Sequence, residues 1–318
     1  MADSTYMPGV YREQGGNKLV VGPTGLLDIQ GQVTGFQAGV NYYVGSAVGS
    51  VTGSVAGASG NDGLSRVTPK ATMIQGQTLA TASTGDRVFV MPGHAETISG
   101  AAGMTFSKAG VHYIGEGVLR NRPTITFDTA IGAQLIVSGA NVRFTNFVFD
   151  FTGFDAITAA ISVTGADVWF DNCEFITNNA TKGCVLGILT AATATRFKVT
   201  NCRFIGTFAN SGTTTTAQIK HEVGIDFEIS GCYFCGKMTQ AILNATTITN
   251  GLILNNDFHI GTGTVAITME TSSAGLIAFN RAVVASGTAP YAGAAMSYTQ
   301  NHYTTEANGP TAGTADAI

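Results

Sequence analysis

One eight-residue pattern recurs six times between residues 142 and 283 and constrains the fold more than any other feature of this chain. The pattern reads apolar, any, apolar, any, Asn, any, any, apolar, with Gly231 in place of Asn in the fourth copy. The copies end at residues 149, 175, 204, 234, 258 and 283. A repeat of about 25 to 30 residues built from strand-like pieces predicts a stack of similar coils.

Each copy reads as two short strands that meet at a corner. In the copy Val168–Phe175, residues 168 and 170 share one face of a strand, and Cys173 and Phe175 form a second apolar pair. Asn172 lies between the pairs, and Asn tolerates the left-handed conformation that a sharp bend needs. Stacked coils would therefore align the corner amides and the last aromatic rings. We predict an amide ladder of Asn146, Asn172, Asn201, Asn255 and Asn280, and a ring ladder of Phe149, Phe175, Phe204, Phe234 and Phe258.

The charges between the apolar positions support this register. Glu174 and Arg203 occupy the same slot in neighbouring copies, and so do Lys198 and Glu228. Opposite charges on adjacent strands are favourable. Residues 111–118 fit the pattern loosely and residues 87–98 read as a first coil, which predicts an all-β solenoid of about eight coils.

Composition restricts the class of protein further. The chain has 318 residues with 41 Gly, only 11% charged residues and a net charge of −4. Many turns and few charges suit a solenoid partly covered by partners, and the absence of a basic excess argues against a nucleic-acid partner. No apolar run reaches the roughly 20 residues of a membrane span. The N-terminus shows no secretory signal.

The chain divides into four segments. Residues 1–45 read as an extended arm for assembly contacts, whose apolar anchors we expect to be Leu19, Val20, Val21, Leu26, Leu27, Ile29 and Phe36. Residues 46–82 form a Gly/Ser-rich loop and a capping segment with one short helix at 64–82. Residues 83–284 form the solenoid, and residues 285–318 a C-terminal cap and tail.

The five cysteines predict neither a disulfide framework nor a metal centre. Cys173, Cys202 and Cys232 follow the corner in three consecutive copies. Zinc requires a tetrahedral ligand set, whereas a ladder supplies a line. We therefore expect inert, inward thiols, no metal and no cofactor, while Cys184 and Cys235 have no assigned role.

Two stretches resemble known proteins. The segments NDGLS at 61–65, GDRVFV at 85–90 and PGHAETI at 92–98 resemble the opening coil of pectin-lyase-like right-handed parallel β-helix proteins. This resemblance covers about residues 60–283 and implies a right-handed, single-stranded parallel β-helix. The stretch YREQGG at 11–16, followed by KLVV at 18–21, resembles the N-terminus of tailed-bacteriophage structural proteins.

The resemblance leaves activity open, because lyases, hydrolases, adhesins and virion proteins share the fold. Pectate lyases of this fold use calcium-binding aspartates and an arginine base, and polygalacturonases use three aspartates. No repeat slot of this chain holds acids in two adjacent coils, so we expect no carboxylate pair on one face, and Asp150 and Asp155 follow a coil's end in an expected loop. His221-Glu222 reads as a polar loop edge, His259 as a turn residue and Trp169 as an outward aromatic.

These observations favour a non-enzymatic virion protein of a tailed bacteriophage, made in the host cytoplasm and located on the capsid surface as a decoration or cement protein. Its expected partners are the major capsid protein, other virion proteins and copies of itself, with a trimer among the symmetries left open. The alternative is a tail-spike or fibre protein that binds a receptor and depolymerises polysaccharide. A third hypothesis is a pectin-lyase-like enzyme or adhesin of bacterial origin.

Overall fold

The fold was analysed in a computed structural model, which describes residues 10–12, 19–21, 39–46, 55–100, 103–128, 130–179, 181–208, 214–222, 224–261, 265–284, 291–292 and 296–305. The chain separates into two compact units, residues 1–38 and 39–318. In the first unit, β1 (Val10–Arg12) pairs antiparallel with β2 (Leu19–Val21), so Leu19 lies opposite Arg12.

The second unit is an all-β solenoid whose chain passes repeatedly through three parallel sheets. Sheet A has ten strands: β3 (Asn41–Val44), β4 (Arg87–Val90), β7 (His112–Gly115), β10 (Arg143–Thr145), β13 (Trp169–Asp171), β16 (Lys198–Thr200), β19 (Gly224–Ser230), β22 (Ile248–Leu254), β25 (Gly275–Ala278) and β28 (Met296–Thr299). Sheet B has nine strands: β5 (Ala95–Ser99), β8 (Thr124–Asp128), β11 (Val148–Asp150), β14 (Glu174–Thr177), β17 (Arg203–Gly206), β20 (Tyr233–Gly236), β23 (Asp257–Ile260), β26 (Arg281–Val284) and β29 (His302–Thr305). Sheet C has eight strands: β6 (Met104–Phe106), β9 (Leu135–Val137), β12 (Ile161–Val163), β15 (Leu186–Thr190), β18 (Thr215–His221), β21 (Met238–Asn244), β24 (Ile267–Thr268) and β27 (Tyr291–Ala292). The prediction of a right-handed, single-stranded parallel β-helix is confirmed.

The interior is built from aligned apolar columns. The predicted ring ladder lies inside sheet B, where Phe149, Phe175, Phe204, Phe234 and Phe258 are fully buried and stack with centroid distances of 4.5 to 5.2 Å. The predicted charge pairs are also in register, since Glu174 pairs with Arg203 and Lys198 with Glu228. The repeat therefore gives the correct alignment over these coils.

A short cap closes the N-terminal end of the stack. The helix α1 (Met73–Leu79) lies within the segment where the sequence predicts one, and Thr72 accepts a hydrogen bond from the Gln75 amide at 3.2 Å. The buried carboxylate of Asp86 accepts from the amides of Val40 at 2.8 Å and Thr81 at 2.7 Å. It thereby ties the first strand to the end of the cap.

Two expected boundaries are wrong. The arm does not extend to residue 45, because Asn41–Val44 form β3 and pair in parallel with β4 inside the solenoid. At the other end, β28 and β29 continue sheets A and B beyond residue 284. The sequence misses these three strands because none of them carries the Asn or Gly corner pattern.

Candidate functional site

A groove of about 1040 Å³ lies on the outer face of sheet B, beside the corner that joins this sheet to sheet A. Its lining combines three arginines, two carboxylates, apolar side chains and corner amides: Val118, Leu119, Arg120, Asn121, Arg122, Thr124, Asn146, Val148, Asp150, Asn172, Glu174, Ile176 and Arg203. A large cavity with convergent polar groups is where a binding site is expected.

The floor of the groove consists of outward positions of neighbouring strands. Thr124, Val148, Glu174 and Arg203 occupy one slot in β8, β11, β14 and β17. Asp150 and Ile176 are paired two residues further along β11 and β14. Because successive side chains of a strand alternate between faces, both columns point away from the core.

One wall comes from the segment between β7 and β8, which contains a short 3₁₀-helix (Leu119–Asn121). Val118 and Leu119 are 73% and 83% exposed, and Leu119 has a φ of 53°. Such a backbone conformation is unusual for a residue with a branched side chain and concentrates at functional sites. Two exposed apolar side chains beside a polar floor form an amphipathic lip.

Asn146 fastens this wall to the corner. Its Nδ2 donates to the carbonyl oxygens of Gly115 at 2.8 Å and Gly117 at 3.0 Å. Gly115 also permits the backbones of these two residues to lie close together, because a Cβ atom at residue 115 would lie 2.4 Å from the backbone oxygen of Asn146. The corner amide therefore sets the position of the lip.

The charges in the groove are unevenly paired. Glu174 forms an ion pair with Arg122 and lies 3.9 Å from Nη1 of Arg203. Within the described residues the exposed Arg120 makes no ion pair. Three guanidinium groups thus face two carboxylates, and the excess positive charge suits an anionic ligand.

The two carboxylates share one face of the sheet, which corrects the expectation that no such pair exists. Asp150 ends β11 rather than lying in a loop, and Glu174 begins the adjacent strand. Their diagonal offset across two paired parallel strands corresponds to roughly 8 Å between Cα atoms, because the strands lie about 4.8 Å apart and two residues span about 6.6 Å. Oδ1 of Asp150 accepts from the amide of Thr152 at 2.9 Å and from its hydroxyl at 2.6 Å.

Four of the five predicted ladder amides lie at the corner between sheets A and B, and two of them, Asn146 and Asn172, line the groove. Asn146, Asn172, Asn201 and Asn255 have φ values of 52° to 66°, and Gly231 has 65° at the equivalent place. One amide-to-amide bond occurs among the four, from Nδ2 of Asn172 to Oδ1 of Asn146 at 3.3 Å. Nδ2 of Asn201 instead donates to Asp171 at 3.3 Å.

The placement of Asn280 was wrong by one residue. Phe279, with a φ of 59°, occupies the corner, and Phe258 pairs with Ala282 rather than Val283. Asn280 therefore points inward and is 1% exposed. The sequence pattern used Asn as the corner marker, but Phe279 adopts the left-handed conformation here.

The inward column that follows the corner contains the thiols and then three buried amides. Cys173, Cys202 and Cys232 are buried, and burial followed by the neighbouring thiols raises the pKa of Cys202. Asn256, Asn280 and Asn301 continue the same column. Elsewhere, burial raises the pKa of Cys184 to about 12, and Cys235 is half-buried in sheet B.

Across the corner, a polar cluster on sheet A is joined by internal contacts, while Nε of Arg143 is buried without a hydrogen-bond partner. Arg143 lies 3.7 Å from the ring centroid of Trp169 and donates to Asp171 at 2.6 Å, and the Trp169 indole donates to Thr200 at 2.7 Å. Although burial opposes it, hydrogen bonds from Thr200, Arg143 and Asn201 lower the pKa of Asp171. These contacts hold the cluster together beside the corner, which indicates a structural role.

The histidines differ from their expected surroundings. His221 ends β18 and is 1% exposed rather than lying at a loop edge, and burial lowers its pKa to about 4. Its neighbour Glu222 forms an ion pair with Lys220 at 2.6 Å. His259 lies in β23, not in a turn, and its ring is 4.8 Å from that of Phe208.

The expected assembly arm is described only in part. Leu19, Val20 and Val21 form β2, whose backbone pairs with β1 of the same chain. The other proposed anchors, Leu26, Leu27, Ile29 and Phe36, lie outside the described residues.

Calcium does not fit the groove. A calcium ion requires six to eight oxygen ligands, mostly from carboxylates and carbonyls. Of the two carboxylates here, Glu174 is engaged by Arg122 and lies beside Arg203. In the described part of the chain no group of three or more His, Cys, Asp or Glu side chains could hold a metal ion.

No helix in the described part of the chain is long and apolar enough to cross a membrane.

Comparison with known proteins shows likeness in structure but not in sequence. No protein-family model matches the chain, and no curated protein matches it. A rhamnogalacturonan lyase superposes with a TM-score of 0.56 and 14% identity over 77% of this chain and 69% of that one. Pectate lyase Pel9A gives 0.50 and 14% over 79% and 64%. This chain has the pectin-lyase-like parallel β-helix fold.

A third matching structure, ORF18 of Geobacillus virus E2, has a TM-score of only 0.34 and 10% identity over 73% of this chain and 58% of that one. The expectation that the chain is not an enzyme needs correction. It depended on acids that never share a face, whereas Asp150 and Glu174 share one. Moreover, two solved structures similar to it are polysaccharide lyases, although at this identity the likeness shows the fold alone.

Proposed function

We propose that this protein binds an acidic polysaccharide in the sheet B groove and cleaves its glycosidic bonds. The observation that carries the proposal is the cluster of three arginines and two carboxylates on one walled face of the solenoid. Pyranose rings have apolar faces and polar edges, so the lip of Val118 and Leu119 and the charged floor match the two kinds of surface.

Each charged side chain has a role in this proposal. The guanidinium groups of Arg120 and Arg203 bind the sugar carboxylate, because a guanidinium matches a carboxylate with two parallel hydrogen bonds. Glu174 holds Arg122 and faces Arg203, which orients these cations before the ligand arrives. In the described residues Oδ2 of Asp150 makes no hydrogen bond, and this oxygen is placed to transfer a proton.

For a uronic acid polymer the reaction is a β-elimination. Neutralising the carboxylate makes the neighbouring C5 proton more acidic, and Asp150 removes it. A double bond then forms between C4 and C5, the bond from C4 to the glycosidic oxygen breaks, and the departing oxygen takes a proton from water. The product carries an unsaturated, ultraviolet-absorbing end.

The carboxylate pair supports hydrolysis as the second candidate reaction. Glycosidases place two carboxyl groups about 5–10 Å apart, one as acid and the other as base or nucleophile. The diagonal placement of Asp150 and Glu174 falls in this range. Hydrolysis releases reducing ends without an unsaturated product, so the two reactions are distinguishable.

The test uses the full chain with polygalacturonate, alginate, hyaluronate and a neutral glucan as control. We expect binding of one acidic polymer that weakens with salt, together with new reducing ends. Arg203→Ala should weaken binding about tenfold or more, because a charged hydrogen bond is lost. Lys198→Ala, which removes a cation of sheet A, is the matched control. Equal affinity for acidic and neutral polymers, or no binding to any, would contradict the proposal.

We also propose that residues 1–38 attach the protein to a virion as part of a tail spike or fibre. The support is the resemblance of residues 11–21 to phage structural proteins and the separation of this unit from the solenoid. Removal of residues 1–38 should abolish incorporation into particles while leaving polysaccharide binding intact.

A further inference from the structure

The N-terminal end of sheet B holds a serine, a histidine and a glutamate in a row. Oγ of Ser46 lies 3.5 Å from Nδ1 of His94, and Nε2 of the same ring lies 3.1 Å from Oε2 of Glu96. The sequence gives no sign of this row, because Ser46 follows β3 and lies 48 residues before His94. A hydroxyl, a base and a carboxylate that orients the base are the groups that activate a serine for attack on an ester.

The surrounding contacts assign the protons of this row. Oε2 of Glu96 accepts from the backbone amide of Met73 at 2.9 Å, and Nε2 of His94 donates to the same oxygen. Nδ1 is then the unprotonated nitrogen of the neutral ring, and it faces the Ser46 hydroxyl. Oγ of Ser46 accepts from the amide of Ala95 at 2.8 Å, so its own proton can point at Nδ1. The 3.5 Å separation is long for a hydrogen bond, as nucleophile–base contacts often are before a substrate binds.

The row leads from the interior to the surface. The side chain of His94 is 0% exposed and that of Glu96 is 14% exposed, whereas Ser46 is half-buried. A substrate therefore reaches the base from the side of Ser46. A structural role explains the bond to Ala95, because β5 is the edge strand of sheet B and Ser46 caps an amide there. Capping alone does not require a base and a carboxylate aligned behind the hydroxyl.

This row of side chains adjoins the N-terminal end of the sheet B groove. Ala95 pairs with Thr124, and the slot that they share continues along the groove floor to Glu174. The amide of Thr124 also donates to the carbonyl of His94 at 2.8 Å. Three coils separate Ala95 from Glu174, or roughly 14 Å at the spacing of parallel strands. A polymer that is held by the arginines and extends along this slot reaches Ser46.

We propose that Ser46, His94 and Glu96 form a hydrolytic site that removes ester groups from the polysaccharide in the groove. The inference rests on the proposed function and adds a second activity. Its substrate is a carboxylic ester carried by the polymer, either an O-acetyl group on a sugar hydroxyl or a methyl ester of a uronic acid. Removal of a methyl ester would also expose the carboxylate that the arginines bind.

The reaction passes through an ester on Ser46. Oγ of Ser46 attacks the carbonyl carbon while its proton moves to Nδ1 of His94, and Glu96, as a positioning residue, stabilises the resulting imidazolium. The bond from that carbon to the alcohol oxygen breaks, and the alcohol leaves with the proton from Nδ1. Water then attacks the acyl group and gives a proton to Nδ1, and Oγ leaves with that proton as the free acid forms. The Ala95 amide, released from Oγ, donates to the carbonyl oxygen as negative charge develops there.

The experiment supplies the full chain with O-acetylated alginate and with methyl-esterified polygalacturonate, and measures the released acetate and methanol. p-Nitrophenyl acetate serves as an ester probe that needs no binding of polysaccharide. We expect release of one of the two products, and labelling of Ser46 by a fluorophosphonate, located by mass spectrometry. Ser46→Ala should lose the label and lower ester hydrolysis about a hundredfold or more. Ser230→Ala is the matched control, since it removes a sheet A hydroxyl that donates to Glu228 at 2.9 Å.

A second variant separates catalysis from structure. Glu96→Gln keeps an oxygen that can accept from the Met73 amide but loses the charge that stabilises the imidazolium. Its kcat for p-nitrophenyl acetate should fall about tenfold or more while KM stays the same. Both Ser46→Ala and Glu96→Gln should bind de-esterified polymer like wild type, because neither residue lines the groove. A role confined to structure would change polymer binding or the melting temperature and leave kcat unchanged.

The outcomes distinguish this inference from the proposed function. A protein that binds the acidic polymer but hydrolyses neither the polymer esters nor the probe would overturn the ester inference alone. Hydrolysis that persists in Ser46→Ala, or labelling of a different residue, would overturn it as well. If the protein binds no acidic polymer yet hydrolyses the probe through Ser46, the hydrolytic site is supported, and the proposed function fails together with the assignment of a polysaccharide ester.

Discussion

Asn256 and Asn280 are joined by two hydrogen bonds inside the solenoid. Oδ1 of Asn280 accepts from the backbone amide of Asn256 at 2.9 Å and from its side-chain Nδ2 at 3.0 Å. Nδ2 of Asn280 in turn donates to the carbonyl of Ile253 at 2.8 Å and to Asn301. One buried amide thus satisfies two backbone groups of the preceding coil and bonds a side-chain amide of the next coil.

Asn280→Ala should consequently destabilise the protein by about 2–4 kcal/mol, because it leaves several buried donors and acceptors without partners. Urea denaturation measures the change in free energy of unfolding. Asn250→Gly is the control: Asn250 is exposed, has a φ of 60° that glycine also adopts, and bonds Asp226 at 3.0 Å, so its loss should cost less than about 1 kcal/mol. Equal losses for the two variants would mean that the inner ladder contributes nothing beyond the surface one.

The ring ladder should be sensitive to truncation. Phe204 is fully buried and stacks at 4.5 Å on both Phe175 and Phe234. Phe204→Ala leaves a cavity that rigid neighbouring coils fill poorly, and we expect a loss of about 3–5 kcal/mol. Leu252→Ala, on the solvent face, should change stability by about 0.5 kcal/mol or less. A loss below about 1 kcal/mol for Phe204→Ala would contradict this interpretation of the core.

Acid should destabilise the solenoid through His221. Burial lowers its folded pKa from 6.5 to about 4, so the unfolded chain binds the proton more readily. The neutral ring contributes its full stability above pH 6.5, and this contribution is lost as the pH falls toward 4. For this one group we expect a loss of about 2 kcal/mol between pH 7 and pH 5. His221→Gln should reduce the difference between unfolding free energies at these two pH values, and an unchanged difference would exclude His221 as the source.

The lip of the groove should show opposite effects on stability and binding. Leu119 has a φ of 53°, a conformation that glycine adopts more easily. Leu119→Gly should therefore leave the melting temperature unchanged or raise it, while weakening polysaccharide binding because an exposed apolar contact is lost. Ser83→Gly is the control, since Ser83 has a φ of 62° and lies outside the groove lining. It should have a similar effect on stability and none on binding.

Truncation at the N-terminus should have a sharp limit. A chain that begins at Gly39 keeps β3, and we expect it to melt like the full-length protein. A chain that begins at Gly60 lacks β3, whose residue Val44 is fully buried against the cap. Its melting temperature should fall by several degrees. Equal melting of the two truncated chains would show that β3 adds nothing to the stack.

Much of the fold was predictable because every stacked coil needs the same sharp bend at the same place. Each corner between residues 146 and 255 requires a left-handed residue, and Asn or Gly meets that requirement. The prediction failed at Phe279. There the pairing of β25 and β26 with their neighbours fixes the register, although a left-handed conformation is unfavourable for Phe. A pattern read from residue types alone does not detect such a substitution.

The groove was not predictable by the same means. Its lip comes from residues 118–122, a connection outside the repeat, and its floor brings together Asp150 and Glu174 only after β11 and β14 pair. The paired acids were missed because Asp150 lies one residue beyond the last position of the pattern. Counting one position further along each strand would have revealed them.

Because Asn146 fixes the position of the lip, the residues proposed to contact a ligand are separate from those that form the stack of strands. The connection between β7 and β8 has eight residues, and Asn146 at the corner and Glu174 on the groove floor both hold it, so its exposed side chains can change without altering the strand pairing beneath. Substitutions at Val118, Leu119 and Arg120 would thus change the ligand that the groove binds without changing the strands. The strands of the solenoid would then stay the same while the side chains of this short loop change.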